Sequence, residues 1–346
     1  MNILNLMLGK GLGGIEQAAL DVALALSRHA EGAKVVSVLD PQAAVRGKFA
    51  GLEVRSLPNL GWWDPIAAWK LASILKQEKP DAVICHGNRA LLLAARAAKG
   101  RWPVVAVAHN YQLRHVHRAF AGFGITRDLV GKLAEEGIPK ERCFHVPNMI
   151  ALEGAPARGQ MRQPPVIGVM GRFVAKKGFD VFLRALAELA ARGAAFEAVI
   201  GGDGEEAEAL EKLCAQLGLE GRVRFIGWVE DKRVFFHDID IFCLPSLHEP
   251  FGIVLLEAMA FGLPIVSTAS EGPREIGTDG VDMRLVTVGD AQAMAEALEE
   301  MLRVPQKAVT LAEAAKARAA EYAYPAGAAR IMGACAEIRA AWLKKA

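Results

Sequence analysis

The sequence predicts an α/β protein built from two doubly wound, Rossmann-like domains facing a cleft. Short apolar runs of strand length alternate with helical patterns in both halves of the chain, which is the pattern of parallel sheets covered by helices. Glycine-rich turns follow the first apolar run of each half, at Gly9–Gly14 and at Gly171. The 346 residues suffice for two separate cores. A stretch rich in Ala, Gly, Pro and Gln at 151–165 reads as the linker between them. The expected domains are therefore 1–150 and 166–324, with a C-terminal helix over about 325–346 free to pack back on the first.

In order, Asn2–Leu8 reads as a buried strand and Ile15–His29 as an amphipathic helix, with Gly9-Lys-Gly11-Leu-Gly13-Gly14 between them. A strand over Lys34–Leu39 ends at Asp40. Strand, G-x-G-x-x-G, helix, strand and acid together form a nicotinamide-binding fingerprint. Asp40 lies further beyond the turn than the roughly 20 residues such a fold uses, and glycine turns serve any close ligand approach. Helix Ile66–Gln77 leads to strand Ala82–Cys85, and helix Leu91–Ala98 to strand Val104–Ala108. His109 follows at the carboxyl edge of the sheet, where such folds bind ligands. The bland reading of His109 is a hydrogen-bonded loop histidine. The segment Phe144–Pro147 ends the first half.

The second half repeats the scheme with strand Val166–Met170, helix Phe179–Arg192, strand Glu197–Ile200, helix Glu205–Leu217, strand Arg222–Phe225 and strand Ile239–Leu244. Arg172 and the Lys176-Lys177-Gly178 turn place cations on its first strand-to-helix loop. Gly201-Gly202-Asp203-Gly204 is a close-approach turn after a strand. A helix over about Gly252–Phe261 is stopped by Gly262 and Pro264. It is apolar on every face except for Glu257 and so belongs in an interior, where a lone carboxylate needs a partner, either a remote Arg of the chain in a structural ion pair or a ligand's hydroxyls. Glu249 precedes it in a loop. A loop carboxylate beside a helix start, which favours phosphate, describes a nucleotide-sugar site. Asp238-Ile-Asp240 mimics a metal-holding pair, but Asp240 abuts a buried strand and nothing supports a metal.

Five scattered cysteines without metal-ligand spacing point to a reducing compartment. No basic stretch precedes the first apolar run and no clean membrane span is present, so a cytoplasmic protein is expected. Residues 1–150 hold 19 Lys+Arg against 12 Asp+Glu, while 151–346 hold 22 against 27. The basic first half fits an anionic partner such as a lipid headgroup or phosphorylated saccharide, with Arg114, His115, His117 and Arg118 clustered there and Trp62 and Trp63 nearby if the fold allows. Nucleic acid is not among the expected partners.

Taken in order, Gly13-Gly14-Ile15-Glu16, His109, Pro147-Asn148, Gly171-Arg172, Lys176-Lys177-Gly178, Gly202-Asp203-Gly204, Phe225-Ile-Gly227, Pro245-Ser246, Glu249 to Glu257, Gly262-Leu-Pro264 and Gly272-Pro-Arg-Glu275-Ile276 resemble the retaining glycosyltransferases of family 4, which have the GT-B fold. The resemblance spans nearly the whole chain and is loosest over 110–124, 279–287 and 322–333. It implies that Arg172 and Lys177 neutralise a donor diphosphate, and that Glu249 holds the transferred sugar with backbone N–H groups of Phe251, Gly252 and Ile253. Glu257 would accept the ribose hydroxyls, and the Gly227-Trp228-Val229 loop would border the base; Gly202, in its close-approach turn, is a further candidate to abut the nucleotide. Gly14 would approach the diphosphate from the first domain, and His109 would sit near the reacting carbon.

The implied reaction is transfer from a nucleotide-diphosphate sugar to a saccharide or lipid-linked acceptor in cell-envelope glycan synthesis, such as lipopolysaccharide, by front-face attack and without metal or cofactor. A peripheral contact with the inner membrane face belongs to the same expectation. The alternatives are a nucleotide-sugar epimerase or binder of the same architecture, and a nicotinamide-dependent oxidoreductase.

Overall fold

The computed structural model describes residues 1–61, 63–152 and 161–345. The chain divides into two units, 1–151 with 322–346, and 152–321. Most of the proposed linker, residues 153–160, lies outside the described residues, as does Trp62.

The first unit carries seven parallel strands: β1 (Asn2–Met7), β2 (Lys34–Leu39), β3 (Val54–Ser56), β4 (Ala82–His86), β5 (Val104–Ala108), β6 (Ala121–Gly124) and β7 (Cys143–His145), in the order β3-β2-β1-β4-β5-β6-β7. Strands β1, β4 and β6 are buried residue after residue, except for partly buried Asn2, as expected of a parallel sheet covered on both faces. Helices α1 (Gly14–His29), α2 (Pro65–Glu78), α3 (Asn88–Ala98) and α4 (Arg127–Glu135) connect them.

Strand β6 is two-fourths glycine, which propensity would not favour. A Cβ on Gly122 would lie 2.9 Å from Leu133, and one on Gly124 2.5 Å from the backbone nitrogen of Val130. Glycine here lets α4 lie directly on the sheet, and this is why the strand is hard to read from sequence.

The second unit has β8 (Val166–Met170), β9 (Glu197–Gly201), β10 (Val223–Phe225), β11 (Ile241–Leu244), β12 (Ile265–Thr268) and β13 (Arg284–Val286), all parallel, in the order β10-β9-β8-β11-β12-β13. Its helices are α5 (Phe179–Ala191), α6 (Ala207–Gln216), α7 (Lys232–His237), α8 (Ile253–Ala260), α9 (Glu271–Ile276), α10 (Ala291–Arg303) and α11 (Pro305–Ala319). Phe179, Phe182, Leu186 and Leu189 of α5 bury one face with Met294, Leu298 and Met301 of α10 in a single core.

Helix α12 (Tyr324–Lys345) returns to the first unit. Ile331, Cys335 and Ile338 join Ile3, Val22 and Leu26 in its core. The Tyr324 hydroxyl donates to buried Asp21 of α1 at 2.8 Å. Among the described residues no helix is long and apolar enough to cross a membrane.

In each sheet the strand order reverses beside the first strand, between β1 and β4 and between β8 and β11. Ligands of open α/β sheets bind outside the carboxyl ends of strands at such a reversal. Those ends carry the candidate residues.

Candidate functional site

In the second unit the loops after β8 and β11 are tied to each other. Gly178 has φ +65, and a Cβ there would meet the Pro245 carbonyl oxygen at 2.2 Å. The Lys176 carbonyl accepts from the N–H groups of Leu247 and His248 at 2.9 and 3.2 Å. This backbone-to-backbone contact demands glycine after the two lysines and carries Lys177 to Glu249. Lys177 Nζ donates to Glu249 Oε2 at 2.5 Å, and the Ser246 hydroxyl donates to the same oxygen at 3.3 Å. Glu249 is buried, and its Oε1 takes no hydrogen bond among the described residues. An ammonium has three donors, so Lys177 retains two.

The Glu249 N–H donates to the Glu271 carboxylate at 3.2 Å, and the Gly272 N–H to the Glu249 carbonyl at 2.8 Å. A Cβ on Gly272 would lie 2.1 Å from the Phe251 carbonyl oxygen. The turn at Glu271-Gly272 thus fixes the loop that bears Glu249 and buried Phe251. Gly252, with φ +99, caps α8 without any side-chain bond, and the N–H groups of Gly252 and Ile253 meet no acceptor among the described residues. Arg172, exposed on the loop after β8, forms no ion pair among the described residues. A buried acid, a lysine, an open guanidinium and a bare helix start therefore gather at one reversal point.

Glu257 differs from the sequence expectation. Helix α8 is not enclosed: Ile253, Val254 and Glu257 form a partly exposed face, while Leu255, Leu256, Ala258 and Met259 are buried. The Glu257 side chain is 23% exposed and receives Lys232 Nζ on both oxygens, at 2.7 and 2.8 Å. An all-apolar helix facing outward on one side misled the reading, and the partner came from α7.

The glycine turn after β9 is required by the packing of the neighbouring loops. A Cβ on Gly202 (φ +141) would lie 1.9 Å from the Gly171 carbonyl oxygen, and one on Gly204 2.4 Å from that of Phe173. The Gly202 N–H donates to the Gly227 carbonyl at 2.7 Å, and the Phe173 N–H to the Asp203 carbonyl at 2.8 Å. Bare backbone there lets the loops after β8, β9 and β10 lie against one another. Gly227 (φ +67) and exposed Trp228 follow β10, and Val229 packs within 2.5 Å of where a Cβ on Gly201 would sit. Asp240 is spent on structure, accepting from the Val166 N–H at 2.8 Å and pairing with Arg162.

In the first unit the turn after β1 is filled by its own side chain. Glu16 accepts from the Gly13 N–H at 3.0 Å, and a Cβ on Gly9 would lie 2.1 Å from its carboxylate. An acid at that helix start opposes a pyrophosphate. Asp40 is buried, taking the Asn59 amide at 2.7 Å and the Gln42 N–H at 2.8 Å. The two features on which the nicotinamide fingerprint rests are both consumed internally. Gly14 itself is open, with nothing within 4 Å of a Cβ built on it.

His109 does follow β5, and the structure adds two residues that the sequence reading missed. His109 Nε2 lies 3.0 Å from Nδ1 of His86, at the end of β4, with the rings stacked. His86 Nε2 lies 2.8 Å from Oδ1 of Asn5, in β1. Burial holds His86 well below the usual histidine pKa, as does neighbouring His109, and lowers His109 to about 4. A polar Asn inside the apolar run Asn2–Met7 was the available signal. The Arg96 guanidinium lies 3.9 Å from the ring centroid of exposed Trp63, and the rings of His115 and His117 lie edge to face. Among the described residues no group of three or more His, Cys, Asp and Glu is placed to hold a metal ion.

Comparison with known proteins identifies the family. The family model described as Glycosyltransferase Family 4 matches residues 12–153, and that described as Glycosyl transferases group 1 matches 156–318. The lipopolysaccharide core biosynthesis glycosyltransferase LpsE of Rhizobium meliloti is 44% identical over 149 residues, an alignment taking in 43% of each chain. LpsD of the same organism, also a lipopolysaccharide core biosynthesis glycosyltransferase, is 30% identical over 238 residues, 67% of this chain and 68% of that one. The crystal structure of Anabaena Alr3699/HepE superposes with a TM-score of 0.84 at 21% identity, covering 97% of this chain and all of that one. The chain belongs to the family 4 glycosyltransferases, and its fold is GT-B.

Proposed function

We propose that this glycosyltransferase moves a sugar from a nucleotide-diphosphate sugar to a saccharide or lipid-linked acceptor of the cell envelope, with retention of configuration and without metal or cofactor. The observation that carries the reading is the Lys177–Glu249 pair at the carboxyl ends of β8 and β11, flanked by open Arg172 and the bare start of α8. Arg172, the two remaining donors of Lys177 and the N–H groups at Gly252 and Ile253 take the diphosphate. As the leaving group departs they absorb its developing charge, which is the work a metal would otherwise do. Glu249 Oε1 accepts a hydroxyl of the transferred sugar. Glu257, held by Lys232, accepts the ribose hydroxyls, and the Gly202 and Gly227–Val229 loops border the nucleotide. Within the first unit, Gly14, with nothing within 4 Å of a Cβ built on it, and His109, after β5, are the residues proposed to meet substrate.

Among the described residues no carboxylate pair stands out for double displacement, and in this reading the acceptor attacks from the donor's own face and a phosphate oxygen takes its proton. The names of LpsE and LpsD favour lipopolysaccharide core assembly. Alr3699/HepE has been solved with UDP-glucose, which makes that donor the first to try. Incubation of the protein with UDP- and GDP-sugars and a truncated core acceptor, with EDTA present, tests the reading. An α-linked product from an α-linked donor supports it. An inverted product, an epimer of the donor, or dependence on added divalent ion contradicts it.

Peripheral contact with an anionic membrane face is supported by the first unit. Leu60, Trp63, Ile66 and Trp69 are 98%, 79%, 64% and 72% exposed on and just before α2. Nearby acids are engaged elsewhere: Asp64 caps α2, Glu78 pairs with Lys34 and Arg55, and Asp81 pairs with Arg339. This leaves Lys70 and Lys76 to meet headgroups beside apolar anchors. Co-sedimentation with phosphatidylglycerol vesicles, lost on Trp63→Ser with Trp69→Ser, checks it.

A further inference from the structure

We infer that Asn5 and His86 are positioning residues that hold His109 with Nε2 protonated and Nδ1 presented as an acceptor, so that the group it takes from a substrate is a neutral hydroxyl and not a phosphate. The inference rests on the proposed role of His109 at the transferred sugar. It begins with an asparagine that has no place in a hydrophobic strand. Asn5 is fully buried in β1, opposite Ser37 of β2 and Ile84 of β4. Its Nδ2 donates to the Ala19 carbonyl of α1 at 2.8 Å, with the Ser37 hydroxyl at 3.4 Å.

A carbonyl only accepts, so the amide has one orientation and its Oδ1 faces His86. Oδ1 also only accepts, so His86 Nε2 carries a proton. In a neutral ring His86 Nδ1 is then a bare lone pair, and the nitrogen 3.0 Å away, His109 Nε2, must donate to it. The remaining nitrogen, His109 Nδ1, is left as an acceptor, and it has no partner among the described residues. Burial favours the neutral form of both rings and so favours this polarity.

The surroundings agree. His109 borders a cavity of about 110 Å³ lined by Ile15, next to Gly14, and by the polar side chains of Asn88, Asn110 and Gln112. No residue lining this cavity bears a formal charge, and the other titratable group there, the Cys85 thiol, is kept protonated by burial. The loop is ordered by its own amides: Asn88 donates to the Gln112 carbonyl and the Gln112 N–H to Asn110, both at 2.9 Å. A phosphate here would meet a lone pair and no cation, whereas a sugar hydroxyl would meet an acceptor and amides.

The inference is tested by imidazole nitrogen NMR on ¹⁵N-histidine-labelled full-length protein, together with steady-state UDP release from UDP-glucose. At neutral pH, His86 and His109 should both show a protonated Nε2 and a bare Nδ1. His86→Leu removes the acceptor for His109 Nε2–H, so the His109 signals should mix tautomers. The same variant should lower kcat about 10- to 100-fold with little change in KM, as loss of an orienting partner does. His86→Gln can donate to Asn5 and accept from His109, and should recover most of the activity and the His109 tautomer. His109 carrying its proton on Nδ1, or charged at neutral pH, would overturn the inference, as would a His86→Leu protein with unaltered His109 signals. Absence of UDP release from the unaltered protein would count against the donor reading alone, since the nitrogen spectra decide the relay without substrate.

Discussion

The two units repeat one topology and equip it oppositely. Both sheets reverse their strand order beside the first strand, and both place a glycine-bearing turn at that point. In the second unit the reversal point is ionic, with Lys177 on buried Glu249, Lys232 on Glu257 and Arg172 open. In the first, an acid, Glu16, fills the helix start and an Asn5–His86–His109 chain without formal charge occupies the strand ends. Net charge runs the other way, since the first half is basic and the second acidic. The place that suits an anion is therefore set by a few local groups at strand ends and not by the charge of the domain around them.

The sharpest way to break this contrast is to remove the cations of the second unit. Arg172→Ala should lower kcat/KM about 100- to 1000-fold while leaving the melting temperature unchanged, because Arg172 forms no ion pair among the described residues. Lys177→Ala should lose as much activity and also melt earlier, since it strands the buried Glu249 carboxylate, a defect worth about 3–5 kcal/mol. Equal melting of the two variants would show that the Lys177–Glu249 pair carries no structural weight. A smaller effect is expected at the Lys232–Glu257 pair, the proposed ribose contact. Lys232→Ala and Glu257→Gln should each raise the donor KM about 10- to 100-fold with kcat little changed, the loss of a charged hydrogen bond.

Gly202→Ala probes loop packing rather than chemistry. It would force a Cβ onto the Gly171 carbonyl at φ +141 and should destabilise the second unit by about 1–3 kcal/mol, read from a denaturant melt.

The buried histidines of the first unit give it a pH signature of its own. His109 and His145 titrate at about 4 in the folded protein, and His86 also lies low. An unfolded histidine titrates near 6.5, so between these values the unfolded chain binds protons that the folded one refuses. Stability should be full above about pH 6.5 and fall as pH drops toward about 4, by on the order of a few kcal/mol in all. Rising stability over that interval would mean that these rings are charged in the fold.

Much of this was legible in the chain itself. Lys34–Leu39, Val104–Ala108 and Val166–Met170 are strands with the bounds their apolar runs indicate. The Lys176-Lys177-Gly178 turn and Glu249 stand out because charge and glycine interrupt apolar periodicity. What escaped was set by tertiary contact. β6 hides its strand behind glycines that only the closeness of α4 explains. Glu257 was read as enclosed because the open face of α8 happens to be Ile253 and Val254, and its partner Lys232 lies on another helix. Asn5 and His86 are ordinary residues until β1, β4 and β5 are set side by side.

The central question is whether the second unit's reversal point binds a nucleoside diphosphate through its cations. Calorimetric titration of UDP, GDP and ADP into the protein and into Arg172→Ala tests this most directly. We predict that one of the three binds the unaltered protein and binds the variant about 10- to 100-fold more weakly, as expected for one lost charged contact. Binding of equal strength to both, or of none of the three to the unaltered protein, would contradict the assignment.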